Sequence, residues 1–387
     1  MSKKAIICEY NPFHNGHKFQ IETQKKSADD KIITVMSGNF VQRGRPAICD
    51  KWQRTKMALS GGSDLVIELP VVFATQSAER FARGGVTLID KLGVAEFLCF
   101  GSECQDIEKL KDIAKLILSD ETEQKINILL KKGISYPQAR AEALGKEFSD
   151  IVDKPNNILA IEYIKALCEE KSSVTPVSIK REGCNHDDDM PDGNFASASY
   201  VRKCITEETG FKSFVPQTTS EILRNADVYK NTKALDSIIT YLLRTYKASD
   251  LKDIADMTEG LEYRFIEAAK ECLTFEDVSQ FVKTKRYTKT RIDRLLINIL
   301  LNIKKDDIDV SPQYIRVLGF NEKGKELLSE IKEKSSLPII TNVKDAKLCP
   351  DGENMLKKDI YATDVYMSLL GKGKSGLDYL TSPIIIK

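Results

Sequence analysis

The stretch that decides the fold reads Ile6-Ile7-Cys8-Glu9-Tyr10-Asn11-Pro12-Phe13-His14-Asn15-Gly16-His17. Its apolar start predicts the end of a short buried strand, which Asn11-Pro12 terminates because proline has no N–H for a β-ladder. The residues that follow predict a helix start, where unpaired N–H groups and the positive dipole end favour an anion. Gly16 lacks the Cβ that would keep a phosphate away from the backbone. The three-residue spacing of His14 and His17 predicts two imidazoles on one side of the turn, donating to the same oxygens.

An ordinary turn with two surface histidines is the alternative interpretation of this stretch. The whole chain has three histidines, however, and two of them lie here, directly after a predicted strand. We therefore favour a phosphate site. The pattern resembles the HxGH signature of the nucleotidyltransferase superfamily, whose members bind ATP and cleave it between the α- and β-phosphates. This resemblance implies catalytic roles for His14 and His17.

The composition is that of a globular protein with more than one domain. The 387 residues are 42% hydrophobic and 30% charged, and the net charge of +1 gives no overall attraction to nucleic acid. The nine cysteines are odd in number and include no CxxC pair, and no signal peptide is recognised. We therefore expect reduced thiols, no metal site and a cytoplasmic protein. No apolar run approaches the ~20 residues of a membrane helix, so no membrane contact is expected.

Strands and helices alternate in the first part of the chain. Strands are predicted at Lys4–Cys8, Lys31–Met36, Asp64–Leu69 and Ala95–Phe100, with helices between them. This alternation predicts an α/β fold with a parallel sheet and helices on both faces. Ligands in such sheets bind beyond the carboxyl ends of the strands. The loops expected to converge on one site are 9–17, 37–45, 70–76 and 101–103.

Three parts are expected along the chain. Residues 1–215 are predicted to form a domain built on the parallel sheet, and residues 216–305 a helical domain. Residues 306–387 are predicted to form a small C-terminal α/β domain. The boundary between the last two parts is based on the charged segment Lys304–Asp309, which interrupts the apolar pattern.

A second candidate phosphate site begins at Phe195-Ala196-Ser197-Ala198-Ser199-Tyr200-Val201-Arg202. Ser197 and Ser199 occupy the expected N-cap region of a helix, and Arg202 is expected to face inward one turn later. Hydroxyls and a guanidinium at a helix start suit the β- and γ-phosphates. The stretch resembles the second nucleotidyltransferase signature, ISSTxxR, in the form ASASxxR. A capped helix with a surface arginine explains this stretch alone, but its combination with the histidine turn favours phosphate contact.

Two further turns are candidate nucleotide contacts. Gly101-Ser102-Glu103 follows a buried predicted strand, where the backbone could pass close to a sugar or a base, and a simple tight turn is the alternative. Asn156 and Asn157 precede a predicted helix. An asparagine there either caps the helix or pairs with a base edge, since its amide offers both a donor and an acceptor.

The segment from Ser37 to Lys51 is dense in glycine, arginine and amide groups and is too long for a turn. We expect the second substrate there, with Arg43, Arg45 and Lys51 holding a carboxylate or a pyrophosphate. A solvated basic loop is the alternative, and the sequence does not decide between them. The stretch His186-Asp187-Asp188-Asp189 is interpreted as a solvated loop and not as a metal site, because adjacent acids point in different directions.

A basic stripe lies near the end of the predicted helical domain. It contains six bases, one acid and Tyr287 within twelve residues, in a chain that is otherwise nearly neutral. Its bases are Lys283, Lys285, Arg286, Lys289, Arg291 and Arg294. A basic surface with an aromatic side chain suits an RNA backbone and a stacked base, and a solvated helix face is the alternative. We favour contact with nucleic acid.

Together these segments resemble one family, the bacterial tRNA(Met) cytidine acetate ligases. The matching stretches cover both ends of the chain and nearly its full length: EYNPFHNGH (9–17), SGNFVQRGRPAICDKW (37–52), DLVIELP (64–70), TQSAERFA (75–82), PNNILAIEYIKAL (155–167), FASASYVRK (195–203), YTKTRIDRLL (287–296) and YIRVLGFNEKGKELL (314–328). The resemblance implies a Rossmann-like nucleotidyltransferase domain. It also implies that ATP and acetate form acetyl-adenylate and pyrophosphate, after which acetyl passes to N4 of the wobble cytidine of elongator tRNA(Met).

The resemblance also implies a set of ATP-binding residues. These are Ile7, Cys8, Glu9, Tyr10, Asn11, Pro12, Phe13, His14, Asn15, Gly16, His17, Lys18, Phe19, Gln20, Gly101, one of Asn156 and Asn157, and Arg181. Asn157 is favoured over Asn156. Ser197, Ser199 and Arg202 would hold the leaving pyrophosphate, and Mg²⁺ would arrive bound to ATP.

Two other functions stay open at this point. A small-molecule adenylyltransferase would use the same histidine turn but would not need the basic stripe. A non-catalytic RNA-binding protein with a relic nucleotide pocket would keep the stripe and lack turnover. The stripe favours the tRNA-modifying ligase over the first alternative, and release of pyrophosphate would distinguish it from the second.

Overall fold

A sheet of mostly parallel strands lies at the centre of the computed structural model, which describes residues 2–104, 106–180 and 191–387. The strands are β1 (Lys3–Cys8), β2 (Lys31–Ser37), β3 (Phe40–Val41), β4 (Arg45–Pro46), β5 (Leu65–Leu69), β6 (Phe97–Ser102), β7 (Thr175–Lys180), β8 (Ile315–Phe320), β9 (Ile339–Ile340) and β10 (Ile384–Ile385). The sheet order is β10-β8-β5-β2-β1-β6-β7, with β9 beside β8, while β3 and β4 form a separate hairpin. Strands β5, β2, β1, β6 and β7 run parallel to one another, which confirms the predicted α/β fold.

Helices account for most of the remaining residues. They are α1 (Asn15–Gln24), α2 (Lys51–Ser60), α3 (Val71–Ala74), α4 (Ala78–Leu92), α5 (Ile107–Ile117), α6 (Asp120–Lys131), α7 (Tyr136–Leu144), α8 (Lys146–Val152), α9 (Pro155–Glu169), α10 (Ala198–Thr206), α11 (Gln217–Asn225), α12 (Lys233–Thr245), α13 (Ala248–Leu251), α14 (Leu261–Glu271), α15 (Phe275–Val282), α16 (Lys289–Leu300), α17 (Glu322–Lys334), α18 (Pro350–Leu369) and α19 (Leu377–Leu380). Short 3₁₀ turns lie at Lys212–Phe214, Asp306–Ile308 and Val343–Asp345. In the described ranges, no helix combines the length and the apolar character that crossing a membrane requires.

Local sequence sets the starts of two helices. Helix α1 starts at Asn15 because His14 itself is the N-cap, in agreement with the helix start predicted at the histidine turn. Helix α18 starts at Pro350. Proline is favoured in the first turn of a helix, where its missing N–H costs nothing.

Both faces of the sheet are buried, and successive residues of a strand point to opposite faces. In β1, Ile7 belongs to one apolar cluster and Ile6 to the other, and Val35 and Met36 of β2 divide in the same way. The cluster that contains Ile7 is packed by α4 and α9, and the cluster that contains Ile6 is packed by α1, α2 and α10. Because β5, β2, β1, β6 and β7 are parallel, their carboxyl ends lie at the same edge of the sheet.

The C-terminal residues contain strands and helices as predicted, but their strands do not form a sheet of their own. Strand β8 pairs antiparallel with β5, and β9 and β10 each pair with β8. The edge of β5 would otherwise present unpaired backbone groups, and β8 covers it. Lys3 and Lys31, at the start of β1 and β2, also form ion pairs with Glu330 of α17.

A buried charge cluster joins the C-terminal residues to the sheet. Lys51 Nζ lies 2.8 Å from Glu68 Oε1 and 2.7 Å from Asp378 Oδ1, and both acids also pair with Arg316. The side chains of these four residues are at most 4% exposed. Removal of one member would leave a buried charge uncompensated, which is far more costly than the modest net stabilisation of the intact pairs.

Candidate active site

The histidine turn forms a defined constellation at the start of α1. The rings of His14 and His17 are stacked with their centroids 3.7 Å apart, which confirms that both lie on one side of the turn. His14 Nδ1 accepts a hydrogen bond from the N–H of Gly16 at 3.1 Å, and His17 Nδ1 accepts one from the N–H of His14 at 3.2 Å. Because Nδ1 accepts in both rings, each neutral imidazole carries its proton on Nε2. Both rings therefore present the kind of donor that a phosphate oxygen needs.

Two aromatic side chains pack against the ring of His17. The ring of His17 lies 4.8 Å from that of Tyr10 and 5.7 Å from that of Phe13. Tyr10, Phe13 and Ile7 are buried in the two apolar clusters, so their side chains are part of the core. Their predicted contribution to the ATP site can come only from their backbone. A Cβ at Gly16 would lie 3.0 Å from the His14 ring, so a larger residue there would push that ring aside by a few tenths of an ångström.

The outer residues of α1 differ in their surroundings. Asn15 Nδ2 donates to the carbonyl oxygens of Asn194 and Ser213, which ties the turn to the segment that precedes and follows α10. Phe19 packs edge-on against Phe195. Lys18 is exposed and pairs with Glu22 at 3.6 Å, so it adds positive charge at the rim of the turn.

The second predicted phosphate site lies beside the first. Ser197 caps α10 by accepting the N–H of Tyr200 at 3.1 Å, as its position predicts. Arg202 is half-buried and donates to the carbonyl oxygen of Asn11 at 2.7 Å and to Ser199 Oγ at 3.0 Å. Burial lowers the pKa of Arg202, the nearby Glu9 opposes this effect, and Arg43 adds to it. The structure thus brings the starts of α1 and α10 together.

Glu9 is the acidic residue of this constellation, and sequence reasoning gave it no separate role. Its carboxylate accepts the N–H of Gln42 at 2.7 Å. Burial raises the pKa of Glu9, while the N–H of Gln42 and the charges of Arg202, Arg54 and Arg43 oppose that rise. Because burial disfavours the charged form, the ionised carboxylate of Glu9 depends on stabilisation by the guanidinium groups around it. The preceding residue, Cys8, is half-buried, and burial raises the pKa of its thiol, which argues against a reactive thiolate.

Arg54 is a structural centre that no sequence motif identified. Its side chain is fully buried, and its guanidinium donates to the carbonyl oxygens of Glu9 at 2.6 Å and Ser37 at 3.1 Å, and also to that of Gly38. One side chain therefore joins the loop after β1 to the loop after β2. Gln42 Nε2 also donates to the carbonyl oxygen of Gln76 at 3.1 Å, which adds the loop after β5.

The turn after β6 is held by Asn157. Its Oδ1 accepts from Ser102 Oγ and from the N–H groups of Glu103 and Cys104, and its Nδ2 donates to the carbonyl oxygen of Ile151 at 3.0 Å. Asn157 is 2% exposed, so its amide shapes the turn that carries Gly101. Asn156 is half-buried and contacts the Glu103 carboxylate. Arg181 and the stretch 186–189 lie outside the described residues.

Two of the three bases predicted for the second substrate are used elsewhere in the fold. Lys51 is fully buried in the charge cluster with Glu68 and Asp378. Arg45 pairs with Asp293 at 2.9 Å and with Glu276 at 3.0 Å. The sequence could not show this, because both sets of partners are distant along the chain. Arg43 is half-buried and lies near Glu9 and Arg202.

The basic stripe divides into two halves. The outer half, Lys283, Lys285 and Arg286, is exposed. The inner half comprises Lys289, Arg291 and Arg294. Lys289 pairs with Glu276 and Asp293, and Arg291 pairs with Asp256 at 2.9 Å. Arg294 is half-buried, and its Nε is a buried atom for which the described residues supply no hydrogen-bond partner.

Tyr287 lies between the two halves. It is only 9% exposed and has Arg286 and Arg291 beside its ring, so it serves the packing of this region and does not offer a face for a stacked base. Among the described residues, no cluster of three or more His, Cys, Asp or Glu side chains could hold a metal ion.

Comparison with known proteins places this geometry in a family. The family model described as HIGH Nucleotidyl Transferase matches residues 1–377. A protein of Thermoanaerobacter sp. (strain X514) named tRNA(Met) cytidine acetate ligase is 46% identical, and the match covers 97% of this chain and 98% of that protein. The crystal structure of Thermotoga maritima TmcAL in its apo form I is similar with a TM-score of 0.92 and 34% identity, and covers 100% of both chains.

A second crystal structure of Thermotoga maritima TmcAL, bound with alpha-thio ATP, has a TM-score of 0.89 at 33% identity. That match covers 100% of this chain and 99% of the other. This similarity extends over the whole length of both chains, so the two proteins share one overall fold, the C-terminal part included. The chain belongs to the HIGH nucleotidyl transferase family and, within it, to the tRNA(Met) cytidine acetate ligases.

Proposed function

We propose that this protein is an ATP-dependent ligase that activates acetate as acetyl-adenylate and transfers the acetyl group to N4 of the wobble cytidine of elongator tRNA(Met). The observation that carries the proposal is the joint position of the stacked His14 and His17 rings and Arg202 at two adjacent helix starts. The names of the relatives support the same activity. A small-molecule adenylyltransferase is the less favoured alternative, because the exposed outer half of the stripe has no purpose in it.

The first half-reaction needs alignment and charge stabilisation more than covalent help from the protein. A carboxylate oxygen of acetate attacks the α-phosphorus, the bond from that phosphorus to the bridging oxygen breaks, and pyrophosphate leaves with the electron pair. His14 and His17 donate through Nε2 to the oxygens at the α–β bridge, where negative charge develops. Arg202, with Ser199 beside it, neutralises the departing pyrophosphate, and Ser197 keeps the start of α10 in place.

The proposed ATP site comprises the segment 7–20 and the turn after β6. Gly101 lets the backbone approach the nucleoside, and Asn157 orders that turn, with Asn156 at its rim. Arg181 is a further proposed contact of ATP. Mg²⁺ would be held by the phosphate oxygens of ATP, since the described part of the chain offers it no cluster of ligands, and it would supply additional neutralisation of charge.

In the second half-reaction, N4 of the cytidine attacks the acetyl carbonyl carbon of acetyl-adenylate. The bond from that carbon to the phosphate oxygen breaks, AMP leaves, and N4 releases one proton. We propose that residues 216–305 hold the tRNA, with Lys283, Lys285 and Arg286 on its phosphates. The inner half of the stripe is then close to the RNA, but the ion pairs of Lys289 and Arg291 serve mainly to hold α16. The reaction is expected in the cytoplasm, where ATP and tRNA meet.

The direct test combines the purified protein with ATP, labelled acetate and tRNA(Met). We expect release of AMP and pyrophosphate and a labelled N4-acetylcytidine at the wobble position on nucleoside analysis. Elongator tRNA(Met) with a uridine at the wobble position is the control and should stay unlabelled. Pyrophosphate release without RNA labelling would favour the small-molecule adenylyltransferase. Absence of both would favour an RNA-binding protein with an inactive nucleotide site.

A further inference from the structure

Phe281 is a large aromatic side chain that the fold leaves exposed at the end of α15. It is 41% exposed, whereas Phe275, Val278 and Val282 of the same helix are at most 2% exposed. The packing of α15 on the core is therefore complete without Phe281. Single exposed apolar residues are common on protein surfaces, so only the surroundings of Phe281 can show whether it has a use.

A base from the neighbouring helix is fixed against the backbone of Phe281. Arg264 of α14 donates through Nη2 to the carbonyl oxygen of Phe281 at 2.8 Å and through Nε to that of Val282 at 3.2 Å. The last carbonyl groups of a helix have no partner within it, so these contacts close the end of α15 and order the guanidinium. The Arg264 side chain is exposed, and its Nη1 has no acceptor among the described residues.

The turn after α15 carries the outer half of the stripe in an ordered conformation. The N–H of Thr284 donates to the carbonyl oxygen of Tyr287 at 3.2 Å. Thr284 Oγ1 accepts from the N–H groups of Arg286 at 3.2 Å and Tyr287 at 3.1 Å. The Tyr287 hydroxyl accepts from Thr258 Oγ1 at 3.2 Å, and its ring is buried. Tyr287 thus anchors the turn, and the three exposed bases surround the end of α15.

The positive charge of this turn is not compensated by nearby acids along the chain. From Val278 to Ile292 the sequence contains five bases and no aspartate or glutamate. Exposed bases elsewhere pair within one helical turn, as Lys270 does with Glu267 at 2.8 Å. In the ranges that the structure describes, the outer half of the stripe forms no ion pair, in contrast to Lys289 and Arg291 of the inner half.

An exposed aromatic ring among unpaired bases suits a nucleotide better than a protein partner. The other apolar residues between 278 and 292 are buried, so Phe281 has no apolar surface around it, and protein interfaces have a contiguous apolar core. A nucleotide needs one ring for its base and positive charges for its phosphates. The base must be unpaired, because bases within an RNA duplex are stacked on their neighbours and have no free face.

We propose that Phe281 stacks against an unpaired base of the tRNA, and that Arg264 and the outer half of the stripe bind the phosphates on either side of that base. The proposal deepens the proposed function, on which it rests for the identity of the RNA. It assigns to Phe281 the stacking that the sequence suggested for the aromatic residue within the stripe, Tyr287, whose ring is buried.

The first test measures binding of tRNA(Met) to the whole protein over a range of salt concentrations. Phe281→Ala should weaken binding at least about tenfold at every salt concentration, because stacking is lost and no charge is removed. Arg264→Gln should instead reduce the slope of log affinity against log salt by about one, since it removes one phosphate contact. Tyr136→Ala, on α7 and also 41% exposed, is the matched control and should bind like wild type. Wild-type affinity in Phe281→Ala would overturn the proposal.

The second test separates stacking from a general apolar contact. Phe281→Trp should bind tRNA(Met) at least as tightly as wild type, because the indole ring also offers a face to a base. Phe281→Leu keeps an apolar side chain without that face, and its affinity should lie within about threefold of that of Phe281→Ala. Binding of Phe281→Leu at the wild-type level would contradict stacking.

A blunt RNA duplex is the control ligand. Wild type and Phe281→Ala should bind it within about twofold of one another, because it has no unpaired base. A loss for the duplex as large as the loss for tRNA would contradict the proposal. None of these measurements needs ATP or acetate. Binding that depends on Phe281 in a protein that does not acetylate tRNA would retain the stacking site and refute the proposed function, whereas acetylation with no effect of Phe281→Ala on binding would do the reverse.

Discussion

The two histidines of the turn use their two ring nitrogens for different tasks. In each ring Nδ1 accepts a backbone N–H, which closes the first turn of α1 and fixes the tautomer. The Nε2 positions then carry the protons that we assign to the α–β bridge of ATP. A histidine at the N-cap and another three positions later thus form a capping box through Nδ1 and a donor pair through Nε2.

Because Nδ1 of His17 caps the helix and Nε2 is the proposed donor, two substitutions of His17 should differ in their effect on stability. His17→Ala removes both the cap contact and the donor, so we expect turnover to fall by at least ~10² and stability by about 1 kcal/mol. His17→Gln can keep the contact with the N–H of His14 and should retain most of the stability while turnover stays low. The measurements are acetate-dependent pyrophosphate exchange and urea unfolding. Wild-type exchange rates in His17→Ala would remove His17 from the mechanism.

Among the elements, α16 connects two parts of the molecule that the sequence presents separately. Its first turns carry the inner half of the basic stripe, yet two of those three bases are paired: Lys289 with Glu276 and Asp293, and Arg291 with Asp256. Further along, Asn298 accepts from the side chain of Gln76 at 3.1 Å, in the loop after β5. An element that first looked like an RNA-binding face is therefore largely a support for the active-site loops.

The exposed half of the stripe should carry the RNA contact. Reversing Lys283, Lys285 and Arg286 to glutamate is expected to lower tRNA acetylation at least about tenfold at moderate salt and to reduce the salt dependence of tRNA binding. Pyrophosphate exchange should stay within about twofold, because ATP is bound elsewhere. Reversal of Lys131 and Lys132, which are exposed at the end of α6, is the control. If acetylation survives the triple reversal, the tRNA lies on another surface.

The contact between the hairpin and α16 predicts a stability difference between two glycines. Gly44 and Gly133 both have positive φ, +72° and +82°, but a Cβ at Gly133 would meet nothing within 4 Å. Gly133→Ala should cost about 1 kcal/mol from backbone strain alone. Gly44→Ala should cost about 2–4 kcal/mol, because its Cβ also collides with the backbone of α16. Urea unfolding measures both, and equal costs would show that the hairpin can move away from α16.

On the scale of the whole molecule, buried polar contacts hold the C-terminal residues on the N-terminal sheet. Besides the charge cluster around Lys51, Asp359 of α18 accepts the N–H of Val71 at 2.7 Å and the hydroxyl of Tyr314. Tyr366 of the same helix donates to the carbonyl oxygen of Ala47 at 2.9 Å. A separate C-terminal domain of residues 306–387 stays a prediction. Their strands and helices pack directly on the sheet that carries the candidate active site.

Asp359 gives this packing a pH dependence. Burial, reinforced by the nearby Glu68, raises the pKa of Asp359 to about 7, whereas an aspartate in the unfolded chain titrates near ~3.9. Between about pH 4 and pH 7 the folded state keeps a proton that the unfolded state has released, so the contribution of this group to stability falls as the pH rises.

Asp359→Asn removes that titration while it keeps the shape of the side chain. The free energy of unfolding of wild type minus that of the variant should decrease from pH 4 to pH 7, by up to ~1.4 kcal/mol per pH unit. Asp112→Asn, at an exposed position of α5, is the control and should show no such trend. A difference that is constant with pH would mean that Asp359 is ionised throughout in the folded protein.

The sequence by itself determined what depends on neighbouring residues. The strand before Glu9, the helix start at His14, the cap at Ser197 and the alternation of strands and helices are set by local pattern and by spacing along the chain. These features were enough to predict the α/β fold, the histidine pair and the resemblance to the family. The family motifs were enough to select Gly101, Asn157 and Arg202 as candidate site residues. They did not predict which protein groups these residues contact.

Only the tertiary structure decided which charged side chains are paired with one another. Lys51, Arg45, Arg291 and Arg54 look alike in the sequence as bases in polar stretches, but their partners are separated from them by tens to hundreds of residues. Whether such a base binds a substrate or is neutralised depends on which acids and carbonyl groups the fold brings near it. That is a property of long-range packing, which local pattern does not encode, and it is also why β8 could be recognised as a strand without revealing that it completes the central sheet.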